Sequence, residues 1–254
     1  MAPRARALRT INAWVASHTS GLIRNMLAQR TITPRTAVVL ANAIYLRAHW
    51  EYSFDVSLTH PATFTTANRQ SVQAPFMKRD GTVFDYGARP SYQAIDLPYA
   101  SSNLSMLAIL PRRSSLAAFD RTLTAGSLAK IVGSLTPHTV DLQMPTLDLS
   151  TQLSLNDALQ KLGMTDAFKP SASFSALTTQ RALYISLVAH AADLKIDEQG
   201  TVATAATVII MPMARVAPQP TVTLTLNHPY LLLLRDDTSG TILFVAQVAN
   251  PSES

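Results

Sequence analysis

The chain has 254 residues, 47% of them hydrophobic and 15% charged, which is enough to bury the core of one large or two small globular domains and too apolar for a disordered chain. Its net charge is +5, but the positive residues gather only in the first ten positions, at Arg4, Arg6 and Arg9, and no nucleic-acid-binding motif accompanies them, so the excess reads as solvated surface. The lack of cysteine excludes disulfides, thiol nucleophiles, iron–sulfur clusters and cysteine-based zinc sites, and no stretch approaches the roughly 20 apolar residues that span a membrane.

Met1-Ala2-Pro3-Arg4 leads into an amphipathic segment and not into an apolar core with a small-residue cleavage site, so no secretory leader is read there. Ile11, Trp14, Val15, Leu22, Ile23, Met26 and Leu27 recur at helical spacing and predict a helix over 8–29, weakened at Gly21. The dense apolar run from Val38 to Leu46 predicts a strand over 36–50 that is covered on both faces. Short strands are expected over 62–66, 71–77, 83–86, 92–97 and 105–110, because Asn68, Asp80-Gly81, Pro90 and 101–103 punctuate them as turns do. One or two short helices follow over 116–135, a strand over 141–149, a helix over 153–162 closed by Gly163, and a long strand over 183–196. Strands over 221–226, 230–235 and 241–248 end the series, the last two joined by a hairpin turn at 236–240. The pattern is α+β, with large, mostly antiparallel sheets and scattered helices in a single domain over 1–254.

The segment from Glu198 to Thr207 fits no ordinary turn. It is uncharged after Glu198, small in side chain, and rich in the β-branched residues that favour extended structure, with a proline-rich exit at Pro218 and Pro220. Such a segment reads as a strand held outside a sheet, although Ala203–Ala206 is also compatible with a linker or a short helix. A loop of this length in a globular domain is functional or disordered.

Around this loop the sequence resembles the serpin family, as a prokaryote-like member, over nearly its whole length. The pieces that carry the resemblance include Leu40-Ala41-Asn42-Ala43-Ile44-Tyr45 with Trp50 and Phe54, Leu97-Pro98-Tyr99, Met144-Pro145 and Val188-Ala189-His190-Ala191-Ala192. Glu198-Gln199-Gly200-Thr201, His228-Pro229-Tyr230, Ile242-Leu243-Phe244 and Asn250-Pro251 complete them, in the family's order and spacing.

The resemblance implies a serine protease inhibitor that acts as a suicide substrate: a target protease cleaves an exposed reactive-centre loop, about residues 198–220, and the freed loop inserts as a new strand in the central sheet. Serpin loop insertion is a standard example of strand addition. Each added backbone hydrogen bond contributes about 1 kcal/mol net, so the uncleaved fold is metastable and held kinetically. The hinge is then Glu198, Gly200, Thr201, Ala203, Thr204, Ala205, Ala206 and Thr207, all small or β-branched after the glutamate. Counting sixteen residues on from Glu198 puts the reactive bond at Ala214–Arg215. Ala214 in the target's primary pocket suits an elastase-like protease, and a shift of one residue puts Arg215 there and suits a trypsin-like one. A cysteine protease is the further possible target. Asn42 and His190 match a polar pair that latches neighbouring central strands, and Trp50 matches a tryptophan at the mouth of the sheet. The implied protein is extracellular and monomeric.

Two local departures stand out: Thr146 follows Met144-Pro145 where many members have a lysine that pairs with the hinge glutamate, and Ala48 stands where a glycine is usual. The resemblance also begins late, at the helix that crosses the front of the central sheet, so an N-terminally truncated, partial domain is expected, unstable and inactive if alone. No Gly-x-Ser-x-Gly elbow, Ser-x-x-Lys motif with its partners, His-x-x-x-His pair or carboxylate cluster occurs, so no catalytic residue, metal or cofactor is expected. The alternative to an inhibitor is a non-inhibitory binding module or an inactive remnant.

Overall fold

A computed structural model describes residues 3–177, 183–201 and 221–252. Its elements run α1 (Pro3–His18), β1 (Val38–Tyr45), β2 (Ala48–His49), β3 (His60–Thr65), β4 (Ser71–Arg89), β5 (Tyr92–Pro98), β6 (Leu104–Pro111), α2 (Leu116–Asp120) and α3 (Ala125–Val132). Then follow β7 (Thr136–Pro145), β8 (Leu147–Ser154), α4 (Asn156–Lys161), β9 (Ile185–Asp197), β10 (Gly200–Thr201), β11 (Val222–Thr225), β12 (Tyr230–Asp236) and β13 (Ile242–Val248). The chain forms two units, Met1–Leu46 with Ser150–Leu194, and Arg47–Leu149 with Lys195–Ser254.

In the first unit the helix predicted over 8–29 stops at His18. Thr19 turns its hydroxyl back on the Val15 carbonyl at 2.9 Å, and Ser20 and Gly21 take φ of 52° and 77°, which a helix cannot continue through. The apolar residues beyond it pack all the same, because the Asn12 side chain clamps the backbone of Leu27 from both sides, with Nδ2 donating to its carbonyl and Oδ1 accepting from its N–H, each at 2.9 Å. Val15, Ile23, Met26 and Leu27 thereby form a core with Val39, Ala41 and Ala43 of β1 and Ala189 and Ala191 of β9.

β1 and β9 run parallel, from Val38 opposite Ile185 to Tyr45 opposite Asp193. The expectation that β1 is covered on both faces does not hold: its alternate residues face away from that core, with Leu40 44% exposed and Asn42 exposed. An apolar run reveals composition, whereas burial depends on what packs on each face. The second edge of β9 is held by α4: Asn156 donates to the Ser186 carbonyl at 3.0 Å and accepts from the Val188 N–H at 2.8 Å. That helix starts later than its predicted 153, since 153–154 extend β8, and it ends as predicted at Gly163. There, at φ 100°, Gly163 and Met164 donate to the carbonyls of Gln160 and Leu159.

The second unit holds an eight-stranded sheet in the order β11-β7-β4-β5-β6-β12-β13, with β3 on β4. All its pairings are antiparallel except β11 on β7. The two strands predicted over 71–77 and 83–86 are one strand, β4. Asp80-Gly81 is a bulge in it, where the register against β7 shifts between Arg79 and Thr82. Gly81 (φ 62°) gives its N–H to Asp141 Oδ1 at 2.8 Å, so the extra residues are absorbed without a reversal. On one face Leu107, Ile109, Leu231 and Leu233 pack under Phe119 of α2 and Ile131 of α3. The β12–β13 turn is the predicted hairpin, with Gly240 at φ 71°. The α+β class with large, mostly antiparallel sheets and scattered helices is the one the sequence pattern indicates.

Candidate functional site

The site grows from the end of β9. Asp197 accepts at Oδ1 from the N–H groups of Gln199 (3.0 Å) and Gly200 (3.2 Å), an Asx turn that sends the chain back on itself. β10 then lies between two strands, antiparallel to both: Gly200 and Thr201 face Asp197 and Ile196 of β9 on one side, and His49 and Ala48 of β2 on the other. This wedge requires Gly200. At φ 147°, a Cβ there would sit 2.1 Å from the Ala48 carbonyl oxygen and 2.7 Å from the His49 Cα, distances at which the strands cannot stay paired.

Trp50 closes the wedge. Its N–H bonds the Gln199 carbonyl at 2.9 Å, its indole Nε1 donates to the Asp197 carbonyl at 3.0 Å, and its ring stacks on Tyr99 with centroids 4.5 Å apart. The Tyr99 hydroxyl meets the Thr201 hydroxyl at 2.7 Å, and burial pushes the Tyr99 phenol well above its usual pKa. Glu198 is held as well: its carbonyl accepts from the Phe54 N–H at 2.8 Å and its Oε1 from the Thr59 hydroxyl at 2.7 Å. With Thr146 in the place of a lysine, a neutral hydroxyl supplies the donor, and among the described residues Glu198 makes no ion pair. The hub is thus held by hydrogen bonds, and its two carboxylates, Asp197 and Glu198, accept from backbone N–H groups and a hydroxyl.

The structure brings Glu198, Gly200, Thr201 and Trp50 together in this hub. Within the first unit, Asn42 and His190 stand opposite one another on β1 and β9, Nδ2 to Nδ1 at 3.3 Å, where the two strands are directly hydrogen-bonded with no strand between them. Ala203, Thr204, Ala205, Ala206, Thr207, Ala214 and Arg215 lie outside the described residues. Sequence reading missed Asp197, Thr59 and the role of Tyr99. The aspartate directly before Glu-Gln-Gly is a legible Asx-turn signal, whereas the Tyr99 and Thr59 contacts join residues about a hundred or more positions apart and leave no local trace.

Comparison with known proteins agrees with this geometry. The family described as "Serpin (serine protease inhibitor)" matches residues 2–251, a description of an inhibitor and not of an enzyme. Plasminogen activator inhibitor 1 of Neovison vison is 34% identical over 253 residues, covering 97% of this chain and 62% of that protein. Neuroserpin of Gallus gallus is 31% identical over 252 residues, covering 95% and 60%. The crystal structure of human thyroxine-binding globulin complexed with thyroxine superposes with a TM-score of 0.88 at 27% identity, covering 98% of this chain and 65% of that one. The chain spans about three fifths of the length of the curated relatives it matches.

Proposed function

The chain belongs to the serpin family, and on that premise we propose that it derives from and acts as a serine-type endopeptidase inhibitor, a suicide substrate whose cleaved loop inserts as a strand of the sheet that contains β1 and β9. The observation that carries this reading is the wedge at Gly200–Thr201. The first residues of the loop already occupy a strand position between β9 and β2, bonded on both sides, so insertion continues a pairing that has begun. The parallel β1–β9 pair, with Asn42 and His190 across it, is what further insertion must part.

The reactive bond in this reading is Ala214–Arg215, in the hinge-to-exit segment 198–220, and the partner is an elastase-like or trypsin-like serine protease in an extracellular setting, with a cysteine protease as the further target class. Incubation with elastase-like and trypsin-like proteases tests it. An SDS-resistant complex with loss of protease activity is expected, with mass spectrometry of the released peptide fixing the bond. Clean cleavage near Ala214 with no complex sinks inhibition by this chain. The second reading, a binding module without inhibition, is favoured by the likeness to thyroxine-binding globulin and is the one left standing by that second outcome.

A further inference from the structure

A cleft of about 450 Å³ opens within the first unit where three segments meet: the turn 31–36 before β1, the helix α4, and the start of β9. Its walls are tied to one another. The Tyr184 hydroxyl donates to the Arg35 carbonyl at 2.8 Å, the Ala37 N–H donates to the Ser186 hydroxyl oxygen at 2.8 Å, and Asn156 of α4 bridges the Ser186 carbonyl and the Val188 N–H. The turn is closed on itself, with the Thr33 N–H donating to Thr36 Oγ1 at 2.9 Å, the Thr36 N–H donating to the Thr33 carbonyl at 3.1 Å, and Pro34 fixing the backbone between them. A cleft braced in this way is formed before a ligand arrives, which lowers the ordering cost of binding.

These bracing contacts leave a defined set of groups for a ligand. Arg35 is held through its backbone, and among the described residues its guanidinium makes no ion pair. Thr31 and Gln160 line the same cleft. No described lining residue is acidic, and the segment 1–46 that supplies Arg35 holds six arginines with neither an acid nor a lysine. The cleft therefore favours one negative charge and disfavours an amine. Its lining is polar apart from Phe168 and Ile185, so a lipophilic ligand gains little there. A guanidinium fork matches a carboxylate bidentately. A threonine hydroxyl and a glutamine amide each donate and accept, which suits hydroxyl groups on the ligand. A single dianionic phosphate is undercompensated by one arginine, whereas a carboxylate is matched.

We infer that this cleft binds a small carboxylic acid bearing several hydroxyl groups, a sugar acid in chemical class, with Arg35 on the carboxylate and Thr31 and Gln160 on the hydroxyls, at a site independent of the inhibitory loop. Amide NMR titration of the full chain tests it, with gluconate as the probe, sorbitol as its uncharged counterpart and acetate as a carboxylate without hydroxyls. Gluconate is expected to saturate, with shifts concentrated in 31–36, 156–160 and 184–186, and to bind about tenfold or more tightly than sorbitol or acetate. R35Q is expected to weaken gluconate binding about tenfold or more. R6Q, which removes the same charge from the exposed side of α1, is expected to leave it within about twofold. Failure of gluconate to saturate overturns the inference. Binding of sorbitol or acetate as tight as that of gluconate overturns it too, as does native-like binding by R35Q or an equal loss in R6Q.

Discussion

The Tyr99 hydroxyl lies 2.7 Å from the Thr201 hydroxyl, with Tyr99 1% and Thr201 0% exposed, so the second residue of β10 is tied to the interior by one buried polar contact. Tyr99→Phe leaves the Thr201 oxygen buried without that partner and is expected to lower stability by about 1–2 kcal/mol. Adding Thr201→Val removes the orphan and is expected to recover part of the loss, a non-additivity that urea unfolding of the single and double variants reads directly. A neutral Tyr99→Phe would show that β10 is held by other means.

Gly200→Ala is expected to be among the most damaging small changes in the chain, since its Cβ would overlap the Ala48 oxygen at 2.1 Å. Gly163→Ala is the control: its φ of 100° is also unfavourable, but nothing lies within 4 Å of the added carbon. The control is expected to lose about 1–2 kcal/mol from backbone strain alone, and Gly200→Ala clearly more, by the shift in denaturant midpoint. Equal losses would mean that β10 moves aside without consequence.

Arg235 donates from Nη2 to Asp96 and Asp237, each at 2.9 Å, and the Arg235 and Asp96 side chains are only 15% and 12% exposed. Asp237 also accepts from the Ser105 hydroxyl at 2.7 Å. Arg235→Ala strands the Asp96 carboxylate and is expected to cost about 3–5 kcal/mol. The double change Arg235→Met with Asp96→Leu removes both charges and is expected to be much milder, which thermal unfolding of the two variants compares.

Asp236 shapes the β12–β13 turn by accepting from the N–H groups of Thr238 (2.8 Å) and Ser239 (3.0 Å). The Ser239 and Thr238 N–H groups, in that order of weight, hold its carboxyl below the usual carboxylate pKa. A pKa depressed on folding adds stability that is fully present above the unfolded value near 4 and is lost as pH falls through the folded value. Unfolding midpoints followed from neutral pH into the acid range are therefore expected to fall less steeply for Asp236→Asn than for the native chain. Identical slopes would remove the turn from the acid response.

Much of the architecture is written locally. Turn residues at Asn68, Pro90 and 236–240 mark real strand ends, Gly163 stops α4 because a left-handed residue cannot continue a helix, and the β-branched character of the long strands predicts them to within a few residues. What local pattern misjudges is where a partner decides. Segment 22–29 has helical spacing, yet Asn12 captures the backbone of Leu27. Asp80-Gly81 has turn chemistry, yet β7 keeps pairing across it and makes it a bulge.

Local pattern reveals most of the strands and the ordered series of motifs that identifies the family, because these depend on side-chain size and backbone freedom within a few residues. Strand pairing alone sets Glu198 against Thr59, Trp50 and Tyr99 against β10, and Arg89 beside Arg112 and Arg113 in one cleft. Those pairings join residues far apart in the chain, and it is strand register, which no local window contains, that brings them within reach of a hydrogen bond or into one cleft.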